Sequence, residues 1–321
     1  MKDNVASFHR AAFFRNIAAV LFLALGFAAT PGRAIIFDST TNLTYNTTAP
    51  TGVLANSGWQ FEGYWAGCLA TPIASNFFIT GQHVGGSVGD AFLLNGTSYT
   101  TTAVYDDPGS DLAIWKVSTA FSSWAPLYTA ANEAGSPLVV FGSGNGPGAA
   151  VLVDGQLKGW QWFGYSAERW GENVVTGTIN YNGSTLLYAN FDHGAGVNEA
   201  TLASGDSGGG VFIQQNSVWS LAGVNFAVDG PFNTTNTGVG FDAAIFDQGG
   251  LYTPNGTNWD YVTPQTTNIP SSFYATSISA RQDWVQSIIV PEPSAAALTG
   301  LGLVVFLATV RRRAQRATRS F

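Results

Sequence analysis

Between Ile35 and Val290 the apolar residues fall into short runs that do not lengthen into a helix-period pattern. Runs at 59–64, 76–80, 91–94, 112–117, 138–141, 211–213 and 221–227 are each bounded by Gly, Asn, Ser, Thr or Asp. Short, partly alternating runs between turn-forming residues restrict a chain to many short strands. One stretch departs from this. At 277–289, Ile278, Ala280, Trp284, Val285 and Ile288 share one helical face. The expectation is an all-β domain closed by a C-terminal helix. Cys68 is the one cysteine, so no intrachain disulfide or cysteine zinc site is available and stability must come from the core. Asn-x-Ser/Thr triplets at Asn42, Asn95 and Asn182 are read as turn chemistry and polar strand faces.

The two ends carry most of the positive charge. Lys2, Arg10 and Arg15 flank an apolar run, 17–29, of the length of a signal core and too short to span a bilayer comfortably. Small residues before Ile35 place the expected cut after Ala34, so 1–34 reads as a signal peptide. At the other end Pro291-Glu292-Pro293 precedes an apolar run, 295–310, and the cluster Arg311-Arg312-Arg313. An apolar run stopped by arginines is what the positive-inside rule expects of a membrane stop. Between the ends, Lys116, Lys158, Arg169 and Arg281 face 18 carboxylates, a formal charge of −14. That balance excludes nucleic acid bound by charge and an anionic membrane surface as partners. It fits an exported body kept apart by like charge.

The chemistry concentrates in three segments. Gly205-Asp206-Ser207-Gly208-Gly209-Gly210 sets a serine among glycines ahead of an apolar strand. Glycine there allows close backbone approach and aims N–H groups at one point, with Gly205 and Ser207 as the oxyanion donors. A hydroxyl needs an adjacent base. Of the chain's three histidines, His9 leaves with the signal, His193 lies in a polar loop, and His83 ends an apolar strand. Asp111 heads the strand at 112–117, where it can hold an imidazole in one tautomer. His193 with Asp192 is read as loop chemistry and not a metal site, since two ligands are too few. No cofactor is expected.

Together these segments resemble the trypsin-like serine peptidases. Gly205-Asp206-Ser207-Gly208-Gly209 matches the nucleophile motif, Ile79-Thr80-Gly81-Gln82-His83 is similar to the histidine block, and Asp111-Leu112-Ala113-Ile114 to the aspartate block, in the family's order His, Asp, Ser. The resemblance implies two six-stranded antiparallel β-barrels with the site in the cleft between them. The first, 35–133, would carry His83 and Asp111. The second, 134–289, would carry Ser207 and end in the helix. It also implies a pocket base at Thr201, six before the serine, and walls that include Asn225. An uncharged Thr201 argues for a small or apolar substrate side chain. In this family a new apolar amino terminus can pair with the aspartate beside the serine. Here that pair would be Ile35 with Asp206, and loop N–H groups could satisfy Asp206 instead. The chain departs from the family pattern at Gly81-Gln82, at Val84 and at Gly210.

The segment 290–321 resembles the PEP-CTERM sorting signal. That implies a Gram-negative host, an exosortase-like processing enzyme as partner and membrane attachment through the C-terminal segment before processing. The expected function is a secreted or envelope-anchored serine endopeptidase acting on protein or peptide substrates. The alternative is a catalytically silent envelope adhesion or matrix-binding protein on a peptidase fold. An α/β-hydrolase reading of Gly205-x-Ser207-x-Gly209 fails because no histidine follows Ser207.

Overall fold

A computed structural model describes residues 35–164 and 167–290. The expected signal peptide and the PEP-CTERM-like segment lie outside the described residues. Among the described residues no helix is long and apolar enough to cross a membrane.

The chain opens with a two-residue strand, β1 (Ile36–Phe37). Then β2 (Gly63–Trp65), β3 (Cys68–Ala74), β4 (Phe77–Gly81), β5 (Ala91–Leu94), β6 (Thr97–Asp106) and β7 (Leu112–Val117) close into a barrel in the order β2-β3-β4-β7-β6-β5. Alternation aims Trp65, Phe78, Phe92, Tyr99 and Trp115 inward, where they form one buried aromatic cluster with Phe121. Phe78 stacks on Phe92 at 4.4 Å between ring centroids. Each such ring contributes roughly 1.5–3 kcal/mol on burial, which is how the barrel holds without a cystine.

The second half contains β8 (Pro137–Gly142), β9 (Gly146–Val153), β10 (Gln156–Phe163), β11 (Arg169–Val174), β12 (Gly177–Tyr181), β13 (Ser184–Asn190), β14 (Ala200–Thr201), β15 (Gly210–Gln215), β16 (Val218–Val228), β17 (Ala243–Ile245), β18 (Tyr252–Asn255), β19 (Asn258–Tyr261) and β20 (Ser272–Ser277). Seven of these form one sheet in the order β11-β8-β15-β16-β20-β13-β12. The six-stranded barrel expected here is replaced by this seven-stranded sheet, whose end strands β11 and β12 are not hydrogen-bonded to each other. Two insertions account for five of the six remaining strands, and β14 pairs with β1. The β9–β10 hairpin leaves the sheet, and β17, from the long connection between β16 and β20, adds to it as a three-stranded sheet β17-β10-β9. The helix α1 (Gln282–Ile289) follows one 3₁₀ turn at Ser279–Arg281, so the helical stretch read at 277–289 starts a few residues later. Its Val285 is buried in a core shared by both halves, with Leu69, Ile79 and Leu112 from the first and Val139, Phe141 and Phe212 from the second.

Several turns behave as their sequence implies. Asn95-Gly96 and Asn182-Gly183 join β5 to β6 and β12 to β13 with positive φ at both residues (49° and 77°, 50° and 87°), the backbone that two-residue hairpins require. Asn42 Oδ1 accepts the Thr44 N–H at 3.1 Å, an Asx turn.

The N-terminal segment does not belong to the first barrel, where the boundary at 133/134 places it. Ile36 pairs with Thr201 and Phe37 with Ala200, joining β1 to β14. Ile35, Ile36 and Phe37 are completely buried, an apolar triplet that the second half's core receives.

Candidate active site

The histidine arrives on a short, rigid path. β4 pairs antiparallel with β7, Gly81 opposite Leu112, and one 3₁₀ turn at Gln82–Val84 follows. That register sets His83 beside Asp111, the residue just before β7. Asp111 Oδ1 accepts the His83 backbone N–H at 3.1 Å, and Oδ2 lies 2.5 Å from Nδ1. The Gln82 N–H also donates to the Asp111 carbonyl. Gly81, a departure from the family's alanine, has a local reason. A Cβ there would sit 2.9 Å from both Asp111 Oδ2 and His83 Cε1. The turn carrying Asp111 is tied to the C-terminal helix, because Arg281 forks onto the Asp107 carboxylate.

The serine comes from the second half. Ser207 Oγ lies 2.8 Å from His83 Nε2, and the imidazole packs edge-on against Phe226, 5.8 Å between centroids. The glycines after the serine are required by crowding. Gly208 has φ +75°, and a Cβ on it would meet Leu69 O at 2.3 Å and Thr80 Oγ1 at 2.2 Å, where the first barrel touches the serine loop. Gly210 stands where the family carries proline, and a Cβ there would meet Glu62 Oε1 at 2.7 Å. Before the serine, Gly205 has φ +90°, and among the described residues neither the Gly205 nor the Ser207 N–H has an acceptor within the protein. Two free donors beside a serine hydroxyl can receive a developing oxyanion.

Asp206 is buried under the loop. Its Oδ1 accepts the Gly144 N–H at 2.7 Å and its Oδ2 the Ala203 N–H at 2.8 Å, and the Ile35 backbone N–H is a third donor. Loop N–H groups and the start of the N-terminal segment thus both reach this carboxyl. Burial pushes its pKa up to about 7, while these donors and the nearby Arg169 charge pull it down. Arg169 was not singled out in the sequence, though it is one of only four basic residues between 35 and 290. Fully buried, it donates to the carbonyls of Ile35, Asn42 and Tyr45 and lies over the Phe37 ring. It is the post to which the N-terminal segment is fastened.

A cavity of about 220 Å³ opens beside Ser207, lined among others by Trp162, Leu202, Ala203, Asn225, Ala227 and Val228. Asn225 is therefore a wall residue. Thr201 is placed elsewhere. It is buried, paired with Ile36 of β1, and is not among the residues that line this cavity. Trp162 had no signal in its own stretch of sequence, since it reaches the site only through the inserted hairpin.

His193 and Asp192 do not form a cluster. His193 Nδ1 lies 2.7 Å from Asp38 Oδ1, and its ring stacks on Phe246. Among the described residues no group of three metal-ligating side chains occurs. Glu62 and Glu168 are acidic neighbours whose carboxyls are raised by burial, Glu168 to about 8, with the Glu168 charge adding to the rise at Glu62. Burial thus favours the neutral form of each.

A β-barrel rim presenting imidazole, carboxylate and a glycine-flanked serine within hydrogen-bonding reach is the architecture of a serine peptidase. Residues 66–221 match the family model of the trypsin-like peptidase domain, which supports a trypsin-like serine peptidase. No curated protein matches the chain.

Proposed function

We propose that this protein is an exported serine endopeptidase that cleaves peptide bonds through an acyl-enzyme. The observation that carries the reading is the continuous Asp111–His83–Ser207 chain, 2.5 and 2.8 Å at its two links, built from segments 28 and 124 residues apart. Ser207 Oγ attacks the carbonyl carbon as His83 Nε2 takes its proton. Asp111 holds Nδ1 protonated and stabilises the cation that forms. The Gly205 and Ser207 N–H groups hold the oxyanion until His83 returns the proton to the leaving amine and the acyl group is transferred to water. An activated ester should give a burst of leaving group equal to the enzyme concentration, followed by slower turnover. A strictly linear release at a rate unaffected by Ser207 would reject the mechanism.

Maturation belongs to the same proposal. Ile35 carries φ +48°, an uncommon backbone for a β-branched residue, and follows the expected cleavage point. Cutting after Ala34 would release that constraint and turn the Ile35 N–H at Asp206 into an ammonium. The mature protein should then begin at Ile35, and a version extended by a few residues at that end should be less active. Full activity of the extended form would dispose of the idea. Export by the signal, and processing of the arginine-tipped C-terminal segment by an exosortase-like enzyme in a Gram-negative envelope, complete the proposal. They rest on the sequence of the two ends.

A further inference from the structure

Two residues that line the cavity beside Ser207 each carry a buried polar atom that nothing in the protein satisfies. Trp162 Nε1 and Asn225 Oδ1 are both shut off from solvent without a hydrogen-bond partner, and both residues line the cavity. The orientation of Asn225 is fixed. Its Nδ2 donates to the Phe141 carbonyl at 2.7 Å and the Asp206 carbonyl at 2.9 Å. Two acceptors on one side require the nitrogen there and leave the oxygen on the other. Trp162 comes from β10, held in place by β17 through the pairing of Gln161 with Ala243. The walls are otherwise apolar, with Leu202, Ala203, Ala227 and Val228.

Buried polar atoms in native proteins find partners, and an orphan pair on residues that line a cavity calls for a ligand that supplies them. Here the pair is one donor and one acceptor. An ammonium or guanidinium offers donors only and would face the indole N–H unfavourably. A carboxylate offers acceptors only and would face Asn225 Oδ1. A hydrocarbon leaves both unpaired. A primary amide supplies one of each on a single flat group.

We infer that the cavity receives the side chain of glutamine or asparagine immediately before the scissile bond, Trp162 Nε1 donating to its carbonyl and Asn225 Oδ1 accepting from its NH₂. The inference rests on Ser207 being the nucleophile and narrows the substrate to peptides carrying a neutral amide at that position. It replaces the small or apolar preference drawn from Thr201, which the cavity does not include.

The test is a set of peptides differing only at the residue before the cleaved bond: glutamine, asparagine, methionine, leucine, lysine and glutamate. Methionine matches glutamine in length without its polar atoms. We expect an amide to be preferred over methionine by about 100-fold or more in kcat/KM, because a site with buried polar groups rejects analogues that leave them unpaired. Trp162→Phe, which keeps an aromatic wall and deletes the N–H, should shrink that ratio to within about tenfold by the same reasoning. Methionine, leucine or a charged residue preferred over both amides would overturn the inference, as would an amide preference untouched by Trp162→Phe. Labelling of the wild-type protein by a fluorophosphonate separates the two levels. Labelling at Ser207 with the wrong preference overturns the amide assignment alone. No labelling and no cleavage of any peptide would overturn the nucleophile reading along with it.

Discussion

Ser207→Ala is expected to lower kcat on a peptide substrate by roughly 10⁴-fold or more. The hydroxyl meets His83 Nε2 at 2.8 Å and belongs to the loop whose Gly205 and Ser207 N–H groups have no acceptor among the described residues. Without it, no acyl-enzyme forms. The oxyanion donors and the cavity persist, so a small residual rate over the uncatalysed reaction should remain. The substitution is not expected to disturb folding, since the loop is held by Asp206 to Gly144 and Ala203 and by glycine packing against Leu69 and Phe141. A change of less than tenfold, measured on a protein with unaltered thermal stability, would show that Ser207 is not the attacking group.

Asp111→Asn should cost about 10⁴-fold in kcat at neutral pH, the scale of such losses in triads of this kind. The two carboxylate oxygens have separate duties. Oδ1 accepts the His83 backbone N–H, and Oδ2 faces Nδ1. An asparagine must put its NH₂ at one of these places. Against the backbone N–H, donor would meet donor. The amide therefore turns its NH₂ toward Nδ1, which must then accept, and the imidazole proton moves to Nε2. That nitrogen faces Ser207 and can no longer act as a base. The geometry of the site should change little while turnover collapses. Near-normal turnover in Asp111→Asn would mean that the imidazole is oriented by something other than Asp111.

How far the fold and site could be read beforehand depended on where the determining contacts lie. His83, Asp111 and Ser207 each stand next to a strand whose apolar pattern is local, so their placement at strand ends followed from the neighbouring few residues. The tight hairpins at Asn95-Gly96 and Asn182-Gly183 were legible for the same reason. The pocket was not. Its floor was assigned to Thr201 by counting along the chain, but Thr201 is buried in a pairing with β1, some 165 residues earlier. Trp162 enters the cavity because β17 fastens the β9–β10 hairpin against the second half. Neither partner announces the other in sequence. The open seven-stranded sheet arises similarly, since β12 joins through the short hairpin to β13 and closure depends on pairings far apart in the chain. Arg169 shows the limit of reading charge by composition. One of two arginines in an acidic domain proves to be a buried anchor for three backbone carbonyls.

The most direct measurement is mass spectrometry of the purified protein after treatment with a fluorophosphonate. A triad-activated serine should give one covalent adduct per chain, on the peptide containing Ser207, and none in Ser207→Ala. An unmodified protein, or an adduct that persists when Ser207 is replaced, would contradict the account.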